Sequence, residues 1–444
     1  MKASGDLTKI PISFDEPTLV PAAGLIAPAA FVQRLGLGEL FTERLRLDKF
    51  GANSDIKALT VIGSMLAGGD SIDDTDLMRA GANEQLLGET RAPSTIGSWL
   101  RAFRWHNARE SDAISRELLA RLWAAGAGPA DLGAALTIDL DSTIVEVVGR
   151  SKQGARYGYT KELGYHPLLA TLAENGQVLN SRMRGGNAGA ARSAAGFLAE
   201  TASRVREAGA TGQLTTRADS AFYSGTMLNK AKALNIRFSV TVRQDKKIAR
   251  AFAAIPEEDW HPIPYWSSTG EDSAADVAET SYTCFADSKH PVQVRLVVRR
   301  VRPDPGSQLA LFTDWAYHGF VTDRDLDLFE VEADHRRHAV VEQTIAELKS
   351  AGLAHFPSGR FGANAAWLAL TCMAHNLGRG IAILAGPAME RATAATLRNR
   401  LFTIPGRVIR GGRQLRLRLP KSWPWADAFH RAMAAIAALP PAPT

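Results

Sequence analysis

Cysteine is scarce in this sequence, and long apolar runs are missing from it. Its 444 residues include only Cys284 and Cys372, which excludes a disulfide framework and a thiolate zinc cluster. No run of about 18 uncharged apolar residues occurs, so we expect no membrane-spanning segment. The first residues, MKASGDLTKIPISFDE, lack the apolar core of a secretion signal. We therefore predict a protein of the reducing bacterial cytoplasm that makes no contact with a membrane.

Acidic residues are scarce in the C-terminal part of the chain. Residues 351–444 contain 12 lysines and arginines against 2 aspartates and glutamates, a net charge of +10 in a chain whose total is +6. A basic face of this kind usually meets a polyanion, and we expect nucleic acid, although a solvated basic surface is the alternative. The basic residues that we predict to contact DNA here are Arg407, Arg410, Arg413, Arg416 and Arg418.

The start of the chain has the apolar spacing of amphipathic helices, and we predict a helical DNA-binding domain over residues 1–130. The segment APSTIGSWLRAF is predicted to form a short helix that begins with a cap at Ser94 or Thr95. With Arg101 and Arg104 nearby, this segment is either a recognition helix of the helix-turn-helix kind or an ordinary amphipathic helix.

From residue 131 the pattern changes to strands and helices in alternation. AALTIDLDSTIVEVVG is predicted to be one long strand, and HPLLATLAENGQVLNSRMRGGN a hairpin with a type I′ turn at Asn175-Gly176. A helix of roughly 22 residues (AGAARSAAGFLAETASRVREAG), the strand LTTRAD, the helix SGTMLNKAKALNI and the strand RFSVTVR follow. This order predicts an α/β fold, in which helices flank a mixed sheet.

The rest of the chain divides into three further segments. Residues 244–333 are rich in Pro, Trp, Asp and Ser and contain strand-like pieces, so we interpret them as a separate β-rich insertion domain. Residues 334–386, with the helix HRRHAVVEQTIAELKSAG, complete the core that residues 131–243 begin. Residues 387–444 form a basic C-terminal region with a predicted hairpin, RVIRGGRQLRLRL, and a closing helix.

Carboxylates stand out at three places in this arrangement. Asp139 and Asp141 lie two residues apart in LTIDLDSTIV, so both side chains point to the same face of the predicted strand. Asp219 ends the fourth predicted strand, which we expect beside the first, and Glu342 lies in the helix after the insertion. Carboxylates that meet at one sheet edge repel unless divalent cations neutralise them, and oxygen ligands suit Mg²⁺ or Mn²⁺. Two such ions about 3.5–4 Å apart would support phosphodiester chemistry.

The predicted helix around Glu342 has further polar residues on one face. Lys349 lies seven residues after Glu342, or two helical turns, whereas His338 lies four residues before it and His335 three before that. Such a row would bind a metal ion and then successive phosphates of one DNA strand. An exposed helix without a ligand is the alternative, and the missing thiolates disfavour zinc.

The blocks DSTIVEVVGRSKQGARYGY, RADSAFYSGTML and VVEQTIAELK, in this order, resemble those of bacterial insertion-sequence DDE transposases, and most of all the family transposase DDE domain, group 1. The resemblance extends over well more than half of the chain. It implies an RNase H-like fold of the retroviral-integrase superfamily, with Asp141, Asp219 and Glu342 as catalytic residues. These residues would bind two Mg²⁺ ions, for which Mn²⁺ can substitute. Asp139 becomes an auxiliary metal ligand, although the alternation of side chains leaves the reverse assignment open.

Related transposases often carry Tyr-x-x-Arg-x-x-x-Glu-x-x-x-x-x-x-Lys on the glutamate helix. This chain departs from that pattern, since His335 and His338 stand at the Tyr and Arg positions. The neighbouring arginines are then expected to contact the terminal phosphate. The residues of this segment that we predict to contact DNA are His335, Arg336, Arg337, His338 and Lys349.

The resemblance also implies how the protein acts. It predicts a transposase that binds the terminal inverted repeats of its element as a homodimer on double-stranded DNA at the nucleoid, then cleaves and transfers strands. In related enzymes a tryptophan of the insertion stacks on a flipped base, for which Trp260, Trp266 and Trp315 are the candidates, although such tryptophans are more often core residues. The alternatives are an RNase H-like nuclease without strand transfer and a transposase-derived DNA-binding regulator. The intact set of three carboxylates disfavours the regulator.

Overall fold

The computed structural model describes residues 6–158, 160–264, 275–303, 315–412 and 414–442. Trp266 and Arg413 lie outside these ranges. The helices are α1 (Ile26–Leu35), α2 (Leu37–Arg44), α3 (Ser54–Ala67), α4 (Asn83–Leu87), α5 (Pro93–Arg101), α6 (Trp105–Ala124), α7 (Ala194–Glu207), α8 (Gly225–Ala233), α9 (Lys246–Ala253), α10 (Leu328–Arg336), α11 (Val340–Lys349), α12 (Phe361–Leu384), α13 (Pro387–Glu390), α14 (Ala394–Leu397) and α15 (Ala426–Ala438). The strands are β1 (Leu19–Val20), β2 (Leu136–Ser142), β3 (Val145–Glu146), β4 (Arg156–Tyr157), β5 (Leu163–Tyr165), β6 (Leu168–Leu172), β7 (Val178–Arg182), β8 (Leu214–Ala218), β9 (Arg237–Thr241), β10 (His261–Pro262), β11 (Ala275–Cys284), β12 (Val292–Val301), β13 (Ala316–Thr322), β14 (Gly406–Gly411) and β15 (Gln414–Arg418).

The N-terminal part is helical up to residue 124, apart from the short strand β1. Helix α5 begins at Pro93 after Ala92, which offers no side-chain cap, so the predicted cap at Ser94 or Thr95 is wrong. Proline suits the first helical position because its missing N–H would have no partner there. The helix buries Trp99, whose indole donates a hydrogen bond of 3.0 Å to Ser54 Oγ. Its apolar face is therefore anchored in the core.

A nine-stranded mixed sheet forms the centre of the molecule, in the order β10-β11-β12-β13-β9-β8-β2-β6-β7. Strands β2, β8 and β9 are parallel, and the other pairs are antiparallel. The predicted mixed sheet with flanking helices is therefore confirmed, with the first long strand inside the sheet and the fourth beside it.

The strand predicted over AALTIDLDSTIVEVVG is broken in two. β2 ends at Ser142, and the Thr143 N–H donates to the carbonyl of Pro167. The chain then turns into β3, where Val145 pairs with Tyr165 in a small sheet of order β3-β5-β4. The break places the end of β2, with Asp141, at an edge of the large sheet.

The β6–β7 hairpin is present, but its turn differs from the prediction. Gly176 has a φ of +73°, whereas Asn175 is not among the residues with positive φ, and a type I′ turn needs both. Instead, Asn175 Oδ1 accepts a hydrogen bond of 3.0 Å from the N–H of Gln177, and the loop is longer. Helix α7, at 14 residues, is also shorter than predicted, since it starts after Ser193 in the left-handed region.

The predicted β-rich insertion is not a separate sheet. Its strands β11, β12 and β13 continue the large sheet, because β13 pairs antiparallel with β9 at Val321 and Val240. This pairing satisfies backbone groups of β9 that would otherwise form an open edge. Both faces of these strands are covered, since Val298 joins the main core while Val297 packs in a second cluster with Phe320. The interpretation as a body of its own was therefore wrong.

The C-terminal part closes the fold around one long helix. α12 is almost wholly buried and packs against α3 and α6. The predicted basic hairpin is confirmed as β14–β15, which β1 extends to three strands, and α15 is the predicted closing helix. Within the described ranges, no helix combines the length and the apolar character that a membrane crossing requires.

At Gly212 the backbone segments that lead into β8 and β2 approach each other closely. A Cβ at this position would lie 1.8 Å from the carbonyl oxygen of Ala134, just before β2. We expect Gly212→Ala to destabilise the protein by about 1–3 kcal/mol, because backbone has to move. Gly196→Ala, in α7 with open space around it, is the control and should stabilise by up to about 1 kcal/mol. Urea unfolding of both variants measures the difference, and equal effects would contradict the prediction.

Candidate active site

Two aspartates meet at the carboxyl ends of neighbouring parallel strands. In the register of β2 and β8, Asp139 lies opposite Arg217 and Leu140 opposite Ala218. The next step places Asp141 opposite Asp219, the residue that follows β8. Because side chains alternate along a strand, this pair shares a sheet face with Asp139 and Arg217. The oppositely charged pair Asp139 and Arg217 is thus followed, at the ends of the strands, by the two negative charges of Asp141 and Asp219.

Asp139 is neutralised inside the protein. Its two carboxylate oxygens accept hydrogen bonds from Arg217, of 2.7 Å from Nε and 2.8 Å from Nη2, and the side chains are 0% and 2% exposed. A bidentate pair of this kind occupies both oxygens. In addition, His338 Nδ1 lies 3.1 Å from Asp139 Oδ1. The prediction that Asp139 binds metal is therefore wrong, because its oxygens already hold a buried cation.

Among the residues that the structure describes, none forms an ion pair with Asp141. Its carboxylate accepts a 2.6 Å hydrogen bond from the N–H of Ser142. The pKa of Asp141 is raised to about 6, chiefly by burial and also by the charges of Asp219 and Glu342, whereas the hydrogen bond from Ser142 and the charge of His338 lower it. Asp141 thus lies within electrostatic reach of Asp219, His338 and Glu342.

Asp219 caps a short 3₁₀ turn at Ser220–Phe222, and its carboxylate accepts a 3.0 Å hydrogen bond from the N–H of Ala221. Burial raises the pKa of Asp219, and the charges of His338 and Arg243 oppose that rise. The raised pKa values show that the negative charge of both aspartates is unfavourable in this site. A bound cation would offset that charge.

Glu342 lies on α11, which contacts β2, and its charge acts on Asp141. It is exposed in the first turn of α11, which follows α10 after a 3₁₀ turn at Arg337–Ala339. The donor set of Asp141, Asp219 and Glu342 consists of oxygens only, which fits Mg²⁺ or Mn²⁺. Across the described ranges, however, no group of three or more His, Cys, Asp and Glu side chains is close enough to hold a metal ion. The chemistry of the set fits the ions, and the assembled cluster is not present.

The two histidines of the glutamate segment face the sheet, not DNA. Ser239 Oγ lies 2.7 Å from His335 Nδ1, Thr241 Oγ1 lies 3.1 Å from Nε2, and the ring stacks on Phe320 at 4.0 Å. Burial lowers the pKa of His335 to about 3, so the imidazole is neutral. The prediction that His335 contacts DNA is wrong, because hydroxyls engage both of its nitrogens. His338 contacts Asp139 in the same way, from the next turn of the segment.

The remaining basic residues of this segment lie at different depths. Arg336 pairs with buried Glu332 at 3.0 Å, and Glu332 also pairs with Arg299 at 2.8 Å. Arg337 and Lys349 are exposed, so both remain predicted contacts to DNA. Glu332 holds α10 to the sheet, since Arg299 belongs to β12, and Arg336 supports Glu332 from within the helix.

Two tryptophans of the insertion, Trp260 and Trp315, lie against an arginine. The Arg300 guanidinium lies 4.3 Å from the ring centroids of both Trp260 and Trp315, and it forms ion pairs with Glu257 and Asp276. Trp260 is only 9% exposed, so it acts as a core residue and the base-stacking prediction is wrong for it. Trp315 is half-buried in the same cluster, and its role in DNA binding stays a prediction.

The C-terminal hairpin presents arginines on both faces. In its register Arg407 lies opposite Arg418 and Ile409 opposite Arg416, so these three arginines share one face. Arg410 lies on the other face near the tip, and all four are exposed. Arg407 also pairs with Glu16 at 3.3 Å. A contact of these arginines with DNA remains a prediction.

Two residues of the site were missed from the sequence. Arg217 stands two residues before Asp219, the same spacing that separates Asp139 from Asp141, and that repeat is the signal that pairs the strands. His166 follows β5 and is buried, with Nδ1 2.7 Å from the carbonyl oxygen of Ala188. Burial lowers the pKa of His166, and the charge of Asp219 opposes that shift, so this imidazole lies near the site.

Comparison with known proteins gives the following matches. The family model described as transposase DDE domain group 1 matches residues 2–441. No curated protein matches the chain. Among solved structures, the cryo-EM structure of a piggyBac transposase synaptic complex with hairpin DNA matches with 14% identity and a TM-score of 0.43, covering 86% of this chain and 79% of that one.

The two aspartates of β2 should respond in opposite ways to loss of their charge. Asp139→Asn leaves Arg217 buried without its carboxylate, which we expect to cost about 3–5 kcal/mol at pH 7. Asp141→Asn should stabilise the protein, because the folded state opposes the ionisation of this carboxyl. Since folding raises its pKa from 3.8 to about 6, that gain is complete above pH 6 and absent below the unfolded value.

Urea unfolding of the two Asn variants and the wild type at pH 4 and pH 7.5 measures both effects. Changes of the same sign at pH 7.5, or a gain for Asp141→Asn that persists at the lower pH, would contradict the assignment of these carboxylates.

Proposed function

Since the chain belongs to the transposase DDE domain group 1 family, we propose that it cuts the ends of a mobile DNA element and joins them to target DNA. The observation that carries the proposal is the pair Asp141 and Asp219, half-buried at the ends of neighbouring parallel strands, both with raised pKa values, to which the charge of Asp219 contributes at Asp141. Two neighbouring carboxylates that repel one another are suitable ligands for divalent cations, which in turn bind phosphate groups. We further propose that the core has the RNase H-like fold that the family resemblance implies.

Asp141, Asp219 and Glu342 are the residues that would hold two Mg²⁺ ions. When bound, these ions supply an activated water or 3′-hydroxyl and stabilise the leaving oxygen. The two aspartates would bind the ions from the rigid ends of strands, and Glu342 would supply the third carboxylate from a helix. Partial burial of both aspartates strengthens their charge interactions.

The DNA would run past the exposed side of the glutamate helix. Arg337 and Lys349 lie there, and both present cations to phosphates. The hairpin arginines add a second basic surface in the C-terminal region. We propose double-stranded DNA, in the form of terminal inverted repeats and a target, as the partner, and a homodimer as the form that holds two ends together.

Removal of one carboxylate should abolish cleavage and leave DNA binding intact. Purified wild type, Asp219→Asn and Glu342→Gln are incubated with Mg²⁺ and labelled DNA that carries the element's own ends. We expect cleavage and joining only with the wild type, because the lost oxygen ligands hold the ions, and equal binding of uncleaved DNA by all three in EDTA. A loss of about 10²-fold or more is expected for each variant.

Glu330→Gln is the matched control, since Glu330 is exposed on α10 and lies outside the site. It should cleave as the wild type does. Cleavage by the Asp219→Asn variant at the wild-type rate, or binding without cleavage by the wild type, would refute the proposed mechanism. Cleavage without joining would instead indicate a nuclease.

The hairpin arginines should set the salt dependence of DNA binding. For Arg416→Gln and Arg418→Gln, we expect the slope of log affinity against log salt concentration to fall by about 0.9 each, the amount that one phosphate contact contributes. Fluorescence anisotropy with labelled DNA at several salt concentrations measures the slope. Arg250→Gln, which removes an exposed charge from α9, is the control. An equal change in slope for Arg250→Gln would indicate net charge alone.

A further inference from the structure

The position of Glu342 depends on the segment that precedes it. Glu342 is exposed in the first turn of α11, and α10 and the 3₁₀ turn at Arg337–Ala339 lead into that helix. A glutamate in this setting reaches the strand ends only if its helix is held at a defined place on the sheet. The polar contacts under the segment supply that hold.

The first contact joins the segment to β2. His338 Nδ1 lies 3.1 Å from Asp139 Oδ1, and His338 stands one helical turn before Glu342. The side chain of His338 is 15% exposed and that of Asp139 is fully buried. A carboxylate accepts but cannot donate, so Nδ1 is the donor.

The second contact joins the segment to β8. Arg217 Nη1 donates a 2.6 Å hydrogen bond to the carbonyl oxygen of Asp334, near the end of α10, and lies 3.4 Å from its Oδ1. Nε and Nη2 of the same guanidinium bind Asp139. One buried arginine thus bonds to the strand beside it and to the helix above it.

These contacts share one carboxylate and one guanidinium, so they form a connected unit. The planar guanidinium of Arg217 fixes directions in a way that an apolar contact of equal size does not. Buried ion pairs add little to stability compared with apolar packing, and specificity of arrangement is a use that they are known to serve. The unit lies one side-chain row behind Asp141 and Asp219, where any shift of the helix would move Glu342 away from them.

We propose that Asp139, Arg217 and His338 form a carboxylate latch, whose role is to position Glu342 beside Asp141 and Asp219. These three are positioning residues, and the use to which Glu342 is put rests on the proposed function. The latch predicts that the hydrogen bond of His338, and not its charge, places the glutamate.

A pair of His338 variants separates the hydrogen bond from the imidazole. His338→Ala removes the donor, whereas the side-chain amide of His338→Asn supplies an N–H close to the place of Nδ1. We expect the Mg²⁺ concentration for half-maximal DNA cleavage to rise about tenfold in the Ala variant, as loss of a hydrogen bond to a charged group implies. The Asn variant should stay near the wild type. DNA affinity in EDTA should be unchanged in both.

Hydrogen exchange tests the latch without any cleavage. The amides of Val340–Lys349 should exchange about tenfold faster in His338→Ala than in the wild type and near the wild-type rate in His338→Asn. Thermal unfolding of both variants controls for a general loss of stability, which would speed exchange in β2 and α12 as well.

The two proposals fail in different ways. A wild type that binds its DNA ends but never cleaves them refutes the proposed function, and the exchange rates of α11 still decide on the latch. Unchanged exchange in His338→Ala overturns the latch, and so does a Mg²⁺ requirement that rises equally in the Ala and Asn variants.

Discussion

The buried pair of Asp139 and Arg217 is the interaction on which the site depends. It joins β2 to β8 across the middle of a nine-stranded sheet, and both carboxylate oxygens take part. Desolvation of two charges is costly, and only this tight geometry with shared hydrogen bonds offsets it. A slip of one residue in the register would bury one charge without the other and turn Asp141 or Asp219 to the opposite face. The pair therefore selects the register that brings the two aspartates side by side.

Two rows of the same face divide the electrostatic roles between them. The charges of Asp139 and Arg217 cancel one another. One row further, Asp141 and Asp219 have raised pKa values, and no side chain in the described part of the chain forms an ion pair with either of them. The charges of the first row are thus balanced, whereas the second row carries repulsion that a bound cation would relieve. Such a division is expected where a site must be held rigidly and yet accept charge from outside.

Local pattern predicted the position of β8 beside β2, which the structure confirms, and it singled out Asp141, Asp219 and Glu342, whose joint role stays a prediction. It failed for Asp139, because local sequence does not distinguish a carboxylate that pairs with an arginine from one that binds a metal ion. The partner, Arg217, lies 78 residues away, and only the register of β2 and β8 pairs them. The histidines were misread for a related reason. Helical spacing places His335 and His338 along one side of the segment, but the hydroxyls of Ser239 and Thr241 that receive His335 lie on another strand.

The strands that were taken for an insertion domain also build the site. β13 pairs with β9, so the sheet face that carries Asp139 and Arg217 continues without interruption to Phe320. On that continuous face α10 packs through Val331 against Val297 and Phe320, and His335 stacks on the same phenylalanine. Since α11 follows α10 directly, the place of Glu342 is determined by strands that lie on the far side of β9 from Asp141. The third carboxylate is thus positioned from both sides of β9, by apolar contacts on β12 and β13 and by the buried charges on β2 and β8.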